Sequence, residues 1–290
     1  MKVGFIGLGN LGKAIATRLI CTGNTLAVWN RTPSKTEGMD VEIASSPEDL
    51  AGKADIIFIC LFDSQAVKSV LTGEKGLLTG TVSGKIIVDL TTNHFREVRA
   101  FHEQCHQAGA SYLESPVLGS IVPAANGALT VLVSGEQVAY EKVKPLLEQI
   151  GKHLFYLEKP TLAIKMKLIN NLTLGSFMAT LAEALAMGEE SGLEKEKVLD
   201  ILAAGGGNSM MLNAKRDKLL HEDFSAHFSS ALIYKDLDCL QDLAYEMKKP
   251  LFTGAMAKEL YARTFQEGID QEDLSAVYKL FKPGKTQLPK

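Results

Sequence analysis

The sequence predicts an α/β domain built on a doubly wound, mainly parallel sheet, followed by an all-α domain. Three observations predict it. Over the first 155 residues, short β-rich runs alternate with helical stretches at the spacing of βαβ crossovers. Several of those runs (VGFI, IIFIC, KIIV) are apolar without a break, as strands covered on both faces should be. From about Thr161 onward the pattern is helical only.

Taken in order, strands are expected at 2–6, 25–29, 55–61, 85–90, 111–114 and 129–134, with helices at 10–21 and 95–108 among the crossovers. A long, mostly apolar helix begins near 161, roughly twice the average helix length. Its Ala, Gly and Ser residues permit close helix packing and point to a partner subunit, so a homodimer or homotetramer is expected. Further helices are read at 195–204, 210–220, 231–247, 254–267 and 271–280, punctuated by GGG at 205–207 and KKP at 248–250. The expected domains are 1–161 and 162–290.

Composition narrows the function classes. With 290 residues the chain is long enough for two cores, and 46% hydrophobic with 22% charged residues is ordinary for a globular protein. A net charge of −3 offers no electrostatic footprint for nucleic acid. No apolar run reaches membrane-spanning length, and MKVGFIGLGN lacks the apolar core of a signal peptide. Cys21, Cys60, Cys105 and Cys239 are scattered, without a CxxC pair, which suits the reducing cytoplasm.

The chemistry begins at Gly7-Leu8-Gly9-Asn10-Leu11-Gly12, a G-x-G-x-x-G turn that follows a strand and opens a helix. In that context Gly7 makes the tight turn and Gly9 admits a pyrophosphate to the backbone. Gly12 lets helix and strand pack closely, and the helix N-terminus faces the negative charge. This is the arrangement of a Rossmann dinucleotide site. A site selective for NAD carries an acid at the end of the second strand; here the chain reads Asn30-Arg31-Thr32. Arg31 is suited to stack on adenine and to fork onto a 2′-phosphate, with Asn30 and Thr32 adding neutral hydrogen bonds. NADP(H) is the expected cofactor.

Lys167 and Asn171 are spaced i, i+4 and share a helix face. A lysine there is able to protonate a carbonyl oxygen as hydride reaches its carbon, with the asparagine orienting it. On spacing alone the plainer account is better: a lysine snorkelling from an apolar helix beside a locally capping asparagine.

Together, the glycine turn, the NRT after strand two, the Pro-Val-x-Gly loop at 116–119 and the K-L-x-x-N of the long helix resemble the β-hydroxyacid dehydrogenases, in that family's order and over essentially the whole chain. The resemblance implies that Lys167 is the catalytic proton donor and Asn171 its partner. It implies that Thr92, Leu61 and Phe62 meet the cofactor. In the F-x(6)-K-D stretch it gives Lys235 to the cofactor and Phe228 and Asp236 to the substrate. The substrate, a small carboxylate, is expected on the loop of Val117, Leu118, Gly119 and Ser120. Many members read D-A-P-V-S-G-G where this chain reads Glu114-Ser115-Pro116-Val117-Leu118-Gly119-Ser120. Leu118 replaces a serine that helps to hold the substrate carboxylate, and Ser120 offers a hydroxyl in its stead. The Ser120 variant is closer to the glyoxylate and succinic semialdehyde reductases than to the hydroxyisobutyrate and tartronate semialdehyde enzymes.

His102-Glu103-Gln104-Cys105-His106 matches the zinc-binding H-E-x-x-H, but the helix lies between two expected sheet strands and lacks a third ligand. No metal is expected. Three other readings compete with NADPH-dependent reduction. An imine reductase resembles the family in both domains, but those proteins generally replace the lysine that this chain keeps. Oxidative decarboxylation of a phosphorylated sugar acid lacks a basic cluster for the phosphate. A dinucleotide-binding module without turnover shares the fold and the cofactor motifs.

Overall fold

The computed structural model describes residues 2–282, and residues 283–290 of the second expected domain lie outside them. The chain divides into two compact units, Met1–Lys167 and Leu168–Lys290.

The first unit alternates strand and helix. In order it runs β1 (Val3–Ile6), α1 (Asn10–Cys21), β2 (Leu26–Trp29), β3 (Glu42–Ile43), α2 (Pro47–Lys53), β4 (Ile56–Ile59), α3 (Ser64–Thr72), β5 (Ile86–Asp89), α4 (Phe95–Gln107), β6 (Ser111–Glu114), β7 (Val117–Leu118), α5 (Ile121–Ala125), β8 (Leu129–Gly135), α6 (Gln137–Ile150) and β9 (Gly151–Tyr156). The sheet order is β3-β2-β1-β4-β5-β6-β8-β7, with β9 also paired to β8. Pairing is parallel from β3 through β6, antiparallel where β8 meets β6 and β7, and parallel again between β8 and β9. Every residue of β1, β4 and β5 is buried, which is why those strands read as unbroken apolar runs.

Three strands were not legible in the sequence. β3 and β7 have two residues each, too short for any period. β9 has a single buried residue, Gly151, and exists because β8 supplies its hydrogen bonds. β6 and β7 meet β8 in one continuous register across Ser115-Pro116, with Leu132 N–H donating to Pro116 C=O (3.1 Å). Pro116 has no N–H to give back, so the ladder is interrupted there. The segment through Val117 is therefore a rail rather than a free loop.

The helices that follow are α7 (Leu162–Glu190, 29 residues), α8 (Lys195–Ala204), α9 (Met210–His221), α10 (Ser230–Glu246) and α11 (Phe252–Gln266). The division between units falls inside α7 because its first turn is bonded to the sheet, as described below. Where a helix was expected at 271–280 the chain makes a 3₁₀ segment, Leu274–Leu280, started by Asp273 accepting from Ser275 N–H (3.2 Å). No helix among the described residues is long and apolar enough to cross a membrane.

Small residues do allow close packing in the second unit: a Cβ on Gly188 would stand 2.6 Å from Val198 Cγ2. The polar centre of this unit is Asp273, fully buried. It binds Lys215 Nζ at 2.7 Å and accepts from the N–H groups of His227 (3.1 Å) and Phe228 (3.3 Å) and from the Ser275 hydroxyl (2.8 Å). Lys215 is itself only 6% exposed. Asp273→Ala strands that buried cation and two backbone donors, so it should cost about 3–5 kcal/mol in urea unfolding. A loss nearer the ~1 kcal/mol of a surface ion pair would contradict this.

Candidate active site

β1 delivers the chain into the glycine turn, and sterics there leave no alternative to glycine at two positions. Gly7 has φ +94°, and a Cβ on it would lie 2.2 Å from Cys60 O; a Cβ on Gly12 would lie 2.0 Å from Gly7 O. Gly9 has open space where its Cβ would project, a cradle that fits a pyrophosphate at the N-terminus of α1. Leu8 is buried in the sheet core and Leu11 packs against it, while Asn10 is exposed.

At the end of β2, Asn30 is turned inward. Its Oδ1 accepts from Leu8 N–H (2.8 Å) and its Nδ2 donates to Thr32 C=O (2.8 Å), so this side chain braces the glycine turn. Arg31 and Thr32 are exposed. Lys35, which the sequence reading passed over, lines a cavity of about 420 Å³ with Gly9, Asn10 and Lys13, and Lys13 Nζ lies 3.5 Å from Lys35 C=O. A basic residue four positions past Arg31 was the available signal.

The next two turns are held by Asp89, at the end of β5 and fully buried. It accepts from Tyr112 Oη (2.6 Å), Asn93 Nδ2 (2.8 Å) and Thr91 N–H (2.9 Å); Thr91 Oγ1 in turn accepts from Leu61 N–H (3.0 Å). Burial pushes the Asp89 carboxyl up, against the pull of these donors. The network ties the turn bearing Thr92, half-buried, to the one bearing Leu61 and the exposed Phe62. The side chain of Asp63 then starts α3 by accepting from Ala66 N–H.

The rail leaves Val117 buried, Leu118 half-buried, Gly119 exposed at φ +124° and Ser120 at the start of α5, its hydroxyl making no cap bond. Lys167, 8% exposed, donates from Nζ to Val117 C=O at 2.8 Å. The helix carrying it is anchored by two side chains directly opposite each other on β6 and β8. Ile164 N–H donates to Glu114 Oε2 (3.3 Å) and Ala163 N–H to Ser134 Oγ (3.0 Å). Thr161, just before the helix, sits at φ +73°, a conformation a β-branched residue adopts only under constraint.

In the second unit Asn171, one turn beyond Lys167 along α7, is 1% exposed and donates from Nδ2 to Asp236 Oδ2 (2.6 Å). Asp236 Oδ1 accepts from Lys235 Nζ (2.7 Å). A carboxylate only accepts, so the amide of Asn171 is oriented with its nitrogen toward Asp236. Phe228 is half-buried, its N–H on Asp273. The structure thus joins Lys167 to the rail, and Asn171 to Asp236 and Lys235. The H-E-x-x-H histidines diverge: His102 packs edge-on to Tyr112 (4.8 Å), while His106 is exposed. No three His, Cys, Asp or Glu side chains gather in metal-holding geometry among the described residues.

The comparisons with known proteins agree with a dinucleotide-binding domain followed by a helical one. Residues 2–158 match the family model for the NAD-binding domain of 6-phosphogluconate dehydrogenase, and residues 163–281 match the model for NAD-binding of NADP-dependent 3-hydroxyisobutyrate dehydrogenase. The chain is 32% identical over 290 residues to the chloroplastic glyoxylate/succinic semialdehyde reductase 2 of Arabidopsis thaliana, covering 99% of itself and 81% of that protein. It is 34% identical over 283 residues to human cytokine-like nuclear factor N-PAC, covering 97% of itself but spanning only about half (51%) of N-PAC. Among solved structures, Psf3 in complex with NADP+ and 2-OPP superposes with a TM-score of 0.89 at 27% identity, covering 97% of this chain and 100% of that one.

Glu114 also has a pH signature. Burial pushes its carboxyl up to about 7, with the N–H groups of Ile164 and Thr161 pulling the other way and the Asp89 charge adding to the rise. The folded protein holds this proton from about pH 4.5 to 7 while the unfolded chain has released it. Stability therefore falls as pH rises through that window, by up to about 3 kcal/mol. His102, kept neutral down to about 4 by burial, works in the opposite sense below pH 6.5, so the clean readout is a difference. The Tm of Glu114→Gln relative to wild type should climb steadily from about pH 5 to 8; a pH-independent offset would refute the assignment.

Proposed function

We propose that this chain, which belongs to the β-hydroxyacid dehydrogenase family, reduces a small carbonyl acid of the glyoxylate or succinic semialdehyde class to its hydroxy acid with NADPH. The family is one of NAD(P)-dependent hydroxyacid dehydrogenases. The observation that carries the reading is the buried Lys167, its ammonium directed by Val117 C=O to the start of the Val117–Ser120 segment.

When bound, the nicotinamide supplies the hydride. Lys167 gives a proton to the carbonyl oxygen as negative charge develops there, and retrieves it in the oxidation direction. Asn171 is oriented by Asp236, and its amide oxygen accepts from Asn170 Nδ2 (3.1 Å); the family's assignment of Asn171 as partner of Lys167 belongs to this proposal. Backbone N–H groups near Gly119 and the Ser120 hydroxyl receive the substrate carboxylate, with Leu118 contributing apolar surface where a serine is common. The family's assignments of Lys235, Thr92, Leu61 and Phe62 to the cofactor, and of Phe228 to the substrate, belong to the same proposal. NADPH is favoured by the missing acid after β2, the exposed Arg31 and the nearby Lys35. Apolar side chains left exposed along α7, among them Ile169, Phe177 and Met187, support assembly as a homodimer or homotetramer.

The similarity to N-PAC, a nuclear factor by name, favours a second reading: a dinucleotide-binding module without turnover. NADPH oxidation followed against glyoxylate and succinic semialdehyde separates the two. Turnover should appear with one of them and drop about 10²–10⁴-fold in Lys167→Ala while NADPH affinity holds. NADPH binding with no turnover on either aldehyde favours the module. Arg31→Ala should lower kcat/KM for NADPH about tenfold or more and leave NADH nearly unaffected; equal losses for both cofactors would remove Arg31 from the 2′-phosphate.

A further inference from the structure

We propose that Glu114 is a positioning residue for Lys167: its carboxyl oxygen caps the first turn of α7 and so fixes where that turn stands along the Val117 rail. The inference rests on the reading of Lys167 as proton donor and adds a residue to which that reading gives no part.

The geometry carries it. The first N–H groups of a helix have no partners within it. Those of Ala163 and Ile164 are taken by Ser134 and Glu114, both buried on adjacent strands. Lys167 lies three residues past Ile164, about one turn along α7. Val117 lies three residues past Glu114 along the rail, whose register against β8 is unbroken. The same helix and the same rail are therefore joined twice, by Glu114 to Ile164 and by Lys167 to Val117 (2.8 Å). Removing the first tie leaves the ammonium as a principal register mark, and the backbone just upstream is already strained at Thr161. Glu114 Oε1 is buried without a hydrogen-bond partner, while the N–H groups of Ile164 and Thr161 and the Ser134 hydroxyl act on the carboxyl, so Glu114 and Ser134 form one cap at the start of α7.

The test uses the full chain and three variants. Glu114→Leu keeps most of the volume and removes the acceptor; Glu114→Gln keeps an acceptor oxygen; Lys167→Ala removes the group that is positioned. Lys167 placement is read without turnover, by competitive acetylation with acetic anhydride, scored by mass spectrometry against the exposed Lys142. The Leu variant should acetylate Lys167 about tenfold faster relative to Lys142, and the Gln variant should recover most of the protection. An unchanged ratio in the Leu variant overturns the inference whatever the activity.

Turnover on glyoxylate or succinic semialdehyde gives the second arm. Glu114→Leu should lower kcat about ten- to hundredfold with NADPH affinity held, and should add nothing in the Lys167→Ala background. Additive losses overturn a role through Lys167, as does a loss confined to NADPH affinity or Tm. If wild type turns over neither aldehyde, or Lys167→Ala is fully active, the functional reading fails while the acetylation arm still decides the placement. Should the Leu variant not fold, Ser134→Ala deletes the adjoining cap by removing one oxygen; it should raise Lys167 acetylation too, and failure to do so counts against the inference.

Discussion

A helix of 29 residues begins with N–H groups it is unable to satisfy, and in this protein the sheet satisfies them. Glu114 on β6 and Ser134 on β8 stand opposite one another and receive Ile164 and Ala163. That one docking holds the first turn of α7 on the sheet and brings Lys167 beside Val117. It is also why the compact division of the chain falls inside the helix rather than in the linker before it. Thr161 accepts an unfavourable left-handed backbone on the way in, a strain that persists because both flanks are fixed.

The same device recurs with other carboxylates. Asp89 gathers Thr91, Asn93 and Tyr112, and through Thr91 it ties down the turn after β4. Asp236 fixes one amide and one ammonium, and Asp273 collects a lysine and several N–H donors ahead of α10. Each is almost wholly buried, so each depends on its donors being complete. Buried acids of this kind act on function at one remove: they fix the turns and helix starts that bear the groups able to meet a ligand.

Family membership and site geometry meet at the cofactor half, where the glycine turn, the basic residues after β2 and the Asp89-held turns suit a dinucleotide. They diverge at the substrate half. The relatives include a semialdehyde reductase and a nuclear factor, so the fold does not by itself determine a reaction.

The sequence by itself determined the parts governed by local sterics and periodicity. The glycine turn was legible because Gly7 and Gly12 have backbone oxygens where a Cβ would go, and no other residue substitutes. The central strands were legible because burial on both faces demands unbroken apolar runs. The Lys167–Asn171 face was visible as spacing, although spacing alone did not favour chemistry over packing. Tertiary structure alone decided what long-range pairing supplies. β7 and β9 exist because β8 offers them hydrogen bonds, and the 3₁₀ segment exists because Asp273 caps it. Asn30, expected at the cofactor, was not legible as a brace of the glycine turn, since the Leu8 N–H that it receives lies 22 residues away. Glu114 showed nothing in its own neighbourhood of sequence, because its partner is 50 residues on and its meaning lies in a helix start that only the folded sheet brings to it.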